Sequence, residues 1–125
     1  MIYGIGIDIA DTARVEQMQA SGMLKSFAAK VLTDAELKVM RQLSSKRQIE
    51  YLAGRFSAKE SYSKALGTGI GAAVSFKDLE ILDNEKGQPE VTRYPQSDKL
   101  RALVSISHTA GLVITQVTLE KRIDD

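Results

Sequence analysis

A single long helix, predicted from about Lys46 to Leu66, is the feature that most constrains how this sequence can fold. The Ser-Lys-Arg-Gln sequence at 45–48 has the pattern of a capping box and is predicted to open it, and Gly67 follows where glycine commonly ends a helix. Its apolar positions fall on one side of the helical wheel. These positions are Ile49, Leu52, Ala53 and Phe56.

One acidic residue interrupts the apolar side of this helix. Glu60 lies one turn past Phe56 on the same line of the wheel, so its carboxylate points inward or into a cleft. Burying an ionised carboxylate costs several kcal/mol, whereas an exposed pair with Lys64 at i,i+4 returns only about 0.3–0.5 kcal/mol. Two interpretations stay open: the helix emerges into water beyond Phe56, or Glu60 belongs to a site with a stronger charge partner.

A second acid, Asp8, lies in an N-terminal segment that alternates with the period of a β-strand. Glycines weaken a strand, and their usual justification is the close approach of a ligand or of another piece of backbone. Asp8 either ends the strand at a turn or shares a hard cation with Glu60, since Mg²⁺ takes one or two protein carboxylates. The two faces of the segment are Ile5, Ile7 and Ile9 against Gly4, Gly6 and Asp8.

The composition is that of one globular domain. A chain of 125 residues, 43% of them hydrophobic and 26% charged, can bury a single modest core, and its apolar runs are too short to cross a bilayer. Zero cysteines exclude disulfides, and the N-terminus lacks the layout of a signal peptide, so we expect a cytoplasmic protein with no membrane partner.

The charge balance excludes a general nucleic-acid binder. A formal net charge of +1 does not give the uniform positive field that such a protein needs, so we expect no nucleic-acid partner. Local clusters must then carry any anion binding. One such cluster lies almost wholly on the long helix and consists of Lys46, Arg47, Arg55, Lys59 and Lys64.

The segments around the long helix predict the rest of the fold. Asp11 or Thr12 caps a helix that breaks at Gly22 and resumes, and the Thr-Asp-Ala-Glu sequence at 33–36 is a capping box. The order of strand, helices and strands predicts a single α+β domain, 1–125, with a small antiparallel sheet packed against the long helix. The second half predicts a hairpin, a polar helical turn and two strands, at 79–92, 96–101, 103–109 and 112–119.

Two motifs that lie far apart in the chain carry a resemblance to a known family. The sequence reads Gly6-Ile7-Asp8 near the N-terminus and Phe-Ser-Ala-Lys-Glu-Ser-Tyr-Ser-Lys at 56–64 in the long helix. These segments resemble the G-[hydrophobic]-D and [FW]-x-x-K-E-[AS]-x-x-K motifs of the 4'-phosphopantetheinyl transferases, and in particular the holo-acyl-carrier-protein synthases. The resemblance extends to the glycine run at 67–71, the strand end at 105–109 and the order of elements.

The resemblance implies a reaction and three catalytic residues. Enzymes of this family move 4'-phosphopantetheine from coenzyme A to a serine of apo acyl carrier protein, for fatty-acid synthesis, and release adenosine 3',5'-bisphosphate. By resemblance, Asp8 and Glu60 bind Mg²⁺, and Glu60, or a metal-bound water that it orients, acts as base on the serine. Lys64 would meet the phosphate and steady or protonate the leaving group.

The resemblance also implies a coenzyme site. Arg55 and Lys59 are like charges at i,i+4, an arrangement that favours an anion nearby. Together with Lys64, His108 and Thr109 they are expected to bind coenzyme A, with His108 near the 3'-phosphate. A hydrogen-bonded structural role is the alternative for His108.

For the carrier protein, the resemblance implies a docking surface on the first helix, where Arg14 and Met18 are expected to meet an acidic helix of the partner. Members that resemble this chain are homotrimers with active sites between subunits, which fits a small sheet with exposed edges. Two alternatives stay open: a non-catalytic module that binds acidic partner proteins through its basic helices, and a nucleotide-binding protein of another kind.

Overall fold

The computed structural model describes residues 1–123, which form an α+β fold as the sequence predicts. Helix α4 crosses the inner face of a three-stranded antiparallel sheet of order β1-β5-β4, and β2 pairs with β3 in a separate hairpin. The elements in chain order are β1 (Ile2–Asp11), α1 (Thr12–Ala20), α2 (Leu24–Val31), α3 (Asp34–Arg41), α4 (Ser45–Leu66), β2 (Glu80–Asp83), β3 (Pro89–Arg93), β4 (Leu100–Thr109) and β5 (Leu112–Lys121).

The helix starts follow local capping chemistry, with one correction. The capping box at 33–36 is confirmed, because Thr33 N–H donates to Glu36 Oε1 at 2.8 Å and Thr33 Oγ1 accepts from Glu36 N–H at 3.3 Å. The predicted box at 45–48 is wrong: the cap of α4 is Ser44, whose Oγ accepts from Arg47 N–H at 3.4 Å. Gln48 instead donates its side-chain amide to Met40 O at 3.0 Å, which ties α4 to the end of α3.

The predicted end of α4 is confirmed, and the predicted turn before β4 differs slightly from the observed one. Gly67 ends α4 with a φ of 90°, a conformation that glycine adopts without a steric penalty. The polar turn is shorter than predicted, because the N–H groups of Lys99 and Leu100 both donate to Gln96 O and β4 begins at Leu100.

Within residues 1–123, no helix combines the length and hydropathy needed to cross a bilayer.

The glycine face of β1 lies directly against the backbone of α4. A Cβ atom added at Gly6 would stand 1.9 Å from Ser61 O, and one added at Gly4 would stand 2.0 Å from Ala65 O. The glycines therefore serve the close approach of a helix backbone, the second of the two justifications that the sequence left open. As a consequence, the isoleucines on the other face of β1 point away from α4 and are exposed.

Buried hydroxyl groups fix α4 on the central strand of the sheet. Thr115 Oγ1 lies 2.8 Å from Ser57 Oγ and 2.7 Å from Ser61 Oγ, and all three residues are buried. Thr115 is also the partner of Asp8 in the pairing of β1 with β5. The same contact that docks the helix thus brings the segment around Ser61 next to the segment around Asp8.

We expect Gly6→Ala to lower the free energy of unfolding by about 3 kcal/mol, because the added methyl group overlaps a backbone carbonyl that cannot move by itself. Urea denaturation monitored by circular dichroism measures this loss. Gly71→Ala is the matched control, since nothing lies within 4 Å of a Cβ atom at that position. Equal stability of the two variants would contradict the proposed packing.

Candidate active site

A cleft of about 420 Å³ opens between the end of β1, helix α1 and the middle of α4. It brings together the two acids and the two α1 residues that the sequence singled out, Asp8, Glu60, Arg14 and Met18. Strand β1 supplies Asp8 from its glycine face, and α4 supplies Glu60 one residue before Ser61, whose carbonyl contacts β1. The rest of the lining is mostly apolar and consists of Ile9, Ala10, Asp11, Val15, Phe27, Ala53 and Phe56.

The carboxylate of Glu60 is held in an unfavourable electrostatic environment. Burial raises the pKa of Glu60 above its usual range, and the nearby Asp8 carboxylate raises it further, while Lys64 and Arg14 act in the opposite direction. Both acids line one cleft. A cation between the two carboxylates would offset the repulsion from Asp8, the smaller of the two causes that raise the pKa of Glu60, while the effect of burial would remain.

Lys64 pairs with Asp8 rather than with Glu60. Its ammonium group donates to Asp8 Oδ1 at 3.0 Å and to Ile7 O at 3.1 Å, so it holds the end of β1 against α4. The side chain of Lys64 remains half exposed, whereas Asp8 is largely covered. An exposed ammonium beside two acids is positioned to meet an incoming phosphate without leaving the cleft rim.

The wall of the cleft is aromatic. Phe56 packs between Phe27 and Phe76 with ring centroids 5.5 and 5.4 Å away. The guanidinium of Arg14 lies 5.7 Å from the centroid of the Phe56 ring, a cation–π distance. Arg14 is thus exposed at the mouth of the cleft while its orientation is set by the ring beneath it.

Two further recesses, of about 310 and 300 Å³, lie at the other end of α4. His108 lines both of them, and its Nδ1 lies 3.3 Å from Glu50 Oε2. Thr109 lines the smaller recess with Lys46, and Arg55 lines the larger one with Arg47. The structure therefore brings His108, Thr109 and Arg55 of the predicted coenzyme set to one region, away from Asp8 and Glu60 of the same chain, whereas Lys64 of that set lies beside Asp8.

Several lining residues escaped the sequence analysis as site residues. Tyr51 and Gly54 follow Arg47, which the sequence placed in the basic cluster, at helical spacing on α4, so the helical period could have indicated them. Asp83 and Pro89 come from the hairpin β2–β3, and no local pattern places that hairpin beside α4.

Arg55 is tied to the hairpin. Its Nε donates to Ile81 O at 3.1 Å, and its guanidinium pairs with Asp83 Oδ1 at 3.0 Å. The guanidinium also stacks over the Tyr51 ring at 4.4 Å from the centroid. Arg55 therefore lines the larger recess with its donors already directed by the protein and its charge paired with Asp83, which lines the same recess.

The expectation that Lys59 binds a coenzyme is not supported by its position. Lys59 is 0% exposed, and its ammonium group donates to Glu36 Oε1 at 2.6 Å and to Val31 O at 2.8 Å. Burial lowers the pKa of Lys59, and the adjacent Glu36 carboxylate opposes that effect. The anions that relieve the like charges of Arg55 and Lys59 are thus the protein's own Asp83 and Glu36.

Comparison with known proteins shows the same family over almost the whole chain. The family described as the 4'-phosphopantetheinyl transferase superfamily matches residues 4–117. The holo-[acyl-carrier-protein] synthase of Lacticaseibacillus casei is 54% identical over 121 residues, which are 97% of this chain and 94% of the relative. The synthase of a Geobacillus species is 45% identical over 121 residues, with coverage of 97% and 98%.

Solved structures give the same result. A holo-(acyl-carrier-protein) synthase from Bacillus anthracis, in complex with CoA (3',5'-ADP), has a TM-score of 0.88 at 42% identity, covering 98% of this chain and 99% of that one. The synthase from Neisseria meningitidis has a TM-score of 0.86 at 36% identity, with coverage of 97% and 100%.

Because its folded-state pKa is raised, ionised Glu60 opposes folding at pH values above the ordinary carboxyl pKa of about 4. We expect Glu60→Gln to raise the melting temperature of the protein near pH 8 in the presence of a chelator. The gain should disappear as the pH falls below the ordinary pKa, where Glu60 is protonated in both the folded and the unfolded state.

Differential scanning fluorimetry across this pH range checks the expectation. Glu85→Gln, at an exposed turn position, is the matched control and should leave the melting temperature unchanged. A lower melting temperature of Glu60→Gln near pH 8 would contradict the electrostatic account of the cleft.

Proposed function

This chain belongs to the 4'-phosphopantetheinyl transferase superfamily, and from that premise we propose that it transfers the 4'-phosphopantetheine group of coenzyme A to a serine of apo acyl carrier protein. The products are holo acyl carrier protein and adenosine 3',5'-bisphosphate. The observation that carries the proposal is the cleft lined by Asp8 and Glu60 together with Arg14 and Met18, where Lys64 pairs with Asp8. We place the reaction in the cytoplasm and assign it to a single domain, 1–125.

We propose that Asp8 and Glu60 hold Mg²⁺. These two carboxylates line one cleft, and residues 1–123 contain no group of three or more histidine, cysteine or acidic side chains that could hold a metal ion. Two carboxylates suit Mg²⁺, which completes its octahedron with water and substrate phosphate oxygens. The Asp8 carboxylate beside Glu60 repels it, and a cation at this position would relieve that repulsion. When bound, the ion would neutralise charge on the pyrophosphate of the coenzyme.

The side chains of this chain then account for the proton transfers. The serine oxygen of the carrier protein attacks the phosphorus that bears pantetheine, and the bond from that phosphorus to the 5'-phosphate of the leaving nucleotide breaks. The Glu60 carboxylate takes the proton of the serine hydroxyl. The ammonium group of Lys64, at the rim beside Asp8, stabilises the charge of the leaving phosphate and can donate a proton to it.

The coenzyme contacts are proposed for the recesses at the other end of α4. His108 and Thr109 line them together with Arg55 and with Arg47 and Lys46 of the basic cluster. Adenosine 3',5'-bisphosphate carries two phosphates, and these side chains offer donors for them beside the acidic Glu16, Glu50 and Asp83 of the same linings. Lys59 is left out of this set because it is fully buried in its ion pair.

The carrier protein is proposed to dock at the mouth of the Asp8 and Glu60 cleft. Arg14 offers an exposed positive charge held over Phe56, and Met18 offers an adaptable apolar contact beside it. An acidic helix of the partner would complement this pair, and the charge would mainly speed the encounter. The serine to be modified would then reach Glu60 through the same opening.

We further propose a homotrimer with active sites between subunits. In the described part of the chain, the lining of the recesses near His108 has no residue in common with the lining of the Asp8 and Glu60 cleft. A neighbouring subunit that supplied the coenzyme contacts would complete the site. The outer face of the sheet offers the interface, because it exposes a group of large apolar side chains: Ile5, Ile7, Ile9, Leu103, Leu112 and Ile114.

We expect Glu60→Gln to reduce transfer by a factor of about 1,000 or more, since the base and half of the metal site are lost together. Intact-mass measurement of apo acyl carrier protein, incubated with coenzyme A and Mg²⁺, reports the reaction. Glu85→Gln should transfer at the normal rate. Full activity of Glu60→Gln, with unchanged binding of the carrier, would favour the non-catalytic module instead.

We expect Ile114→Lys to convert the trimer into monomers and to abolish transfer, because a charge in the central strand cannot be buried between subunits. Light scattering coupled to size-exclusion chromatography measures the mass. Val39→Lys on α3 is the matched control, since Val39 is 41% exposed and Ile114 is 42% exposed. A trimeric Ile114→Lys protein would contradict the proposed interface.

Subunit mixing tests the shared site directly. Glu60→Gln and His108→Ala subunits, each inactive alone, should regain activity after exchange, because about a quarter of the subunit contacts then join two intact halves. Failure to regain activity in verified mixed trimers would place Glu60 and His108 of the same subunit in one site.

A further inference from the structure

Glu36 and Lys59 form an ion pair in the interior of the protein. Both side chains are 0% exposed, and Lys59 Nζ lies 2.6 Å from Glu36 Oε1. Neither residue contributes to the cleft lined by Asp8 and Glu60 or to the recesses lined by His108. The reaction proposed above therefore does not use this pair directly.

The pair joins four separate elements. Glu36 Oε1 also accepts from Thr33 N–H at the start of α3, and Glu36 Oε2 accepts from Ile81 N–H on β2 at 2.8 Å. The ammonium group of Lys59, on α4, donates in addition to Val31 O at the end of α2. Every oxygen of the buried carboxylate therefore has a partner, and each partner comes from a different part of the chain.

The hairpin β2–β3 is bonded to these buried charges, in addition to the packing of the buried Ile81 side chain and the contacts of β3 with β4. It is not paired with the three-stranded sheet, so ladder hydrogen bonds to that sheet do not hold it. Instead, Ile81 donates its N–H to Glu36 and accepts from Arg55 through its carbonyl. Thr33 Oγ1 adds a bond to Glu80 Oε2 at 2.7 Å.

The position of the hairpin matters because it forms one wall of the larger recess. Asp83 and Pro89 line that recess together with Arg47 and His108. A shift of the hairpin relative to α4 would change the width of the recess and the direction of the Arg55 guanidinium. A buried ion pair does not by itself indicate a gain in stability, because apolar residues of similar volume are often equally stable. What such residues cannot replace is the set of directional hydrogen bonds that Glu36 and Lys59 make.

We propose that Glu36 is a positioning residue for coenzyme binding: paired with Lys59, it holds the hairpin β2–β3 against α4 and thereby sets the geometry of the recess that receives the adenosine phosphate end of coenzyme A. This inference rests on the proposed function. It assigns to Lys59 a place in the same positioning unit, in the interior of the protein and not at the coenzyme.

Glu36→Gln is the test variant, because it keeps the shape of the side chain and breaks the network in either orientation. One oxygen of the carboxylate becomes an NH₂ group, which then faces either Ile81 N–H or the donors at Oε1. We expect the Kd for adenosine 3',5'-bisphosphate and the KM for coenzyme A to rise about tenfold, with kcat at saturating coenzyme A changed less than about twofold.

Isothermal titration calorimetry gives the Kd, and steady-state transfer gives the KM and kcat, both well below the melting temperature. Tyr62→Phe is the matched control. Tyr62 is a buried residue of α4 outside the recess, and the substitution removes the hydrogen bond that its hydroxyl donates to Gln96. The control should lower the melting temperature and leave the KM unchanged. A Glu36→Gln protein that behaves like Tyr62→Phe overturns the proposal.

A second pair of variants covers the case in which Glu36→Gln does not fold. Thr33→Val removes the hydroxyl bond to Glu80 and the bond that Thr33 Oγ1 accepts from Glu36 N–H at the start of α3, whereas Thr33→Ser retains both. We expect Thr33→Val to raise the KM about threefold and Thr33→Ser to restore it; an unchanged KM in Thr33→Val overturns the proposal. If the unaltered protein neither binds adenosine 3',5'-bisphosphate nor transfers, the proposed function itself has failed.

Discussion

The close approach of strand β1 to helix α4 is the contact on which the rest of the structure depends. Gly6 lies against Ser61 O so closely that no side chain fits between the two backbones. This contact places Asp8, two residues along the strand, beside Glu60, the residue before Ser61. A helix held at ordinary side-chain distance from the strand would separate the two carboxylates, and the cleft would lose its charge.

The charged side chains of α4 discussed above form two groups, which point to different parts of the protein. Arg55 and Lys59 turn toward acids of the chain, Asp83 and Glu36, and so hold the hairpin and the short helices against α4. Glu60 and Lys64 turn toward β1 and the open cleft. The same helix therefore serves as scaffold and as part of the site, which explains why it carries so many charges over a short length.

The features that the sequence predicted well are those set within a few residues of each other. The helical period of α4, the capping box at 33–36 and the glycine after Leu66 are local patterns, and the structure confirms them. The alternation of β1 predicted which face Asp8 would occupy, and the two motifs predicted that it would share a cleft with Glu60. The error at 45–48 has the same local origin, since two adjacent serines offer the cap and only the fold selects Ser44.

The sequence by itself determined the α+β fold class, the family and the choice of Asp8 and Glu60 as the two acids of one cleft. Periodicity, helix caps and short motifs each depend on residues that are neighbours in the chain. Only the tertiary structure decided that Lys59 is buried against Glu36, that Lys64 pairs with Asp8, and that the hairpin lines a recess together with His108. Each of these depends on residues far apart in the chain. Which partner a charge finds is set by how the elements pack, and the local sequence around a charged residue does not record that partner.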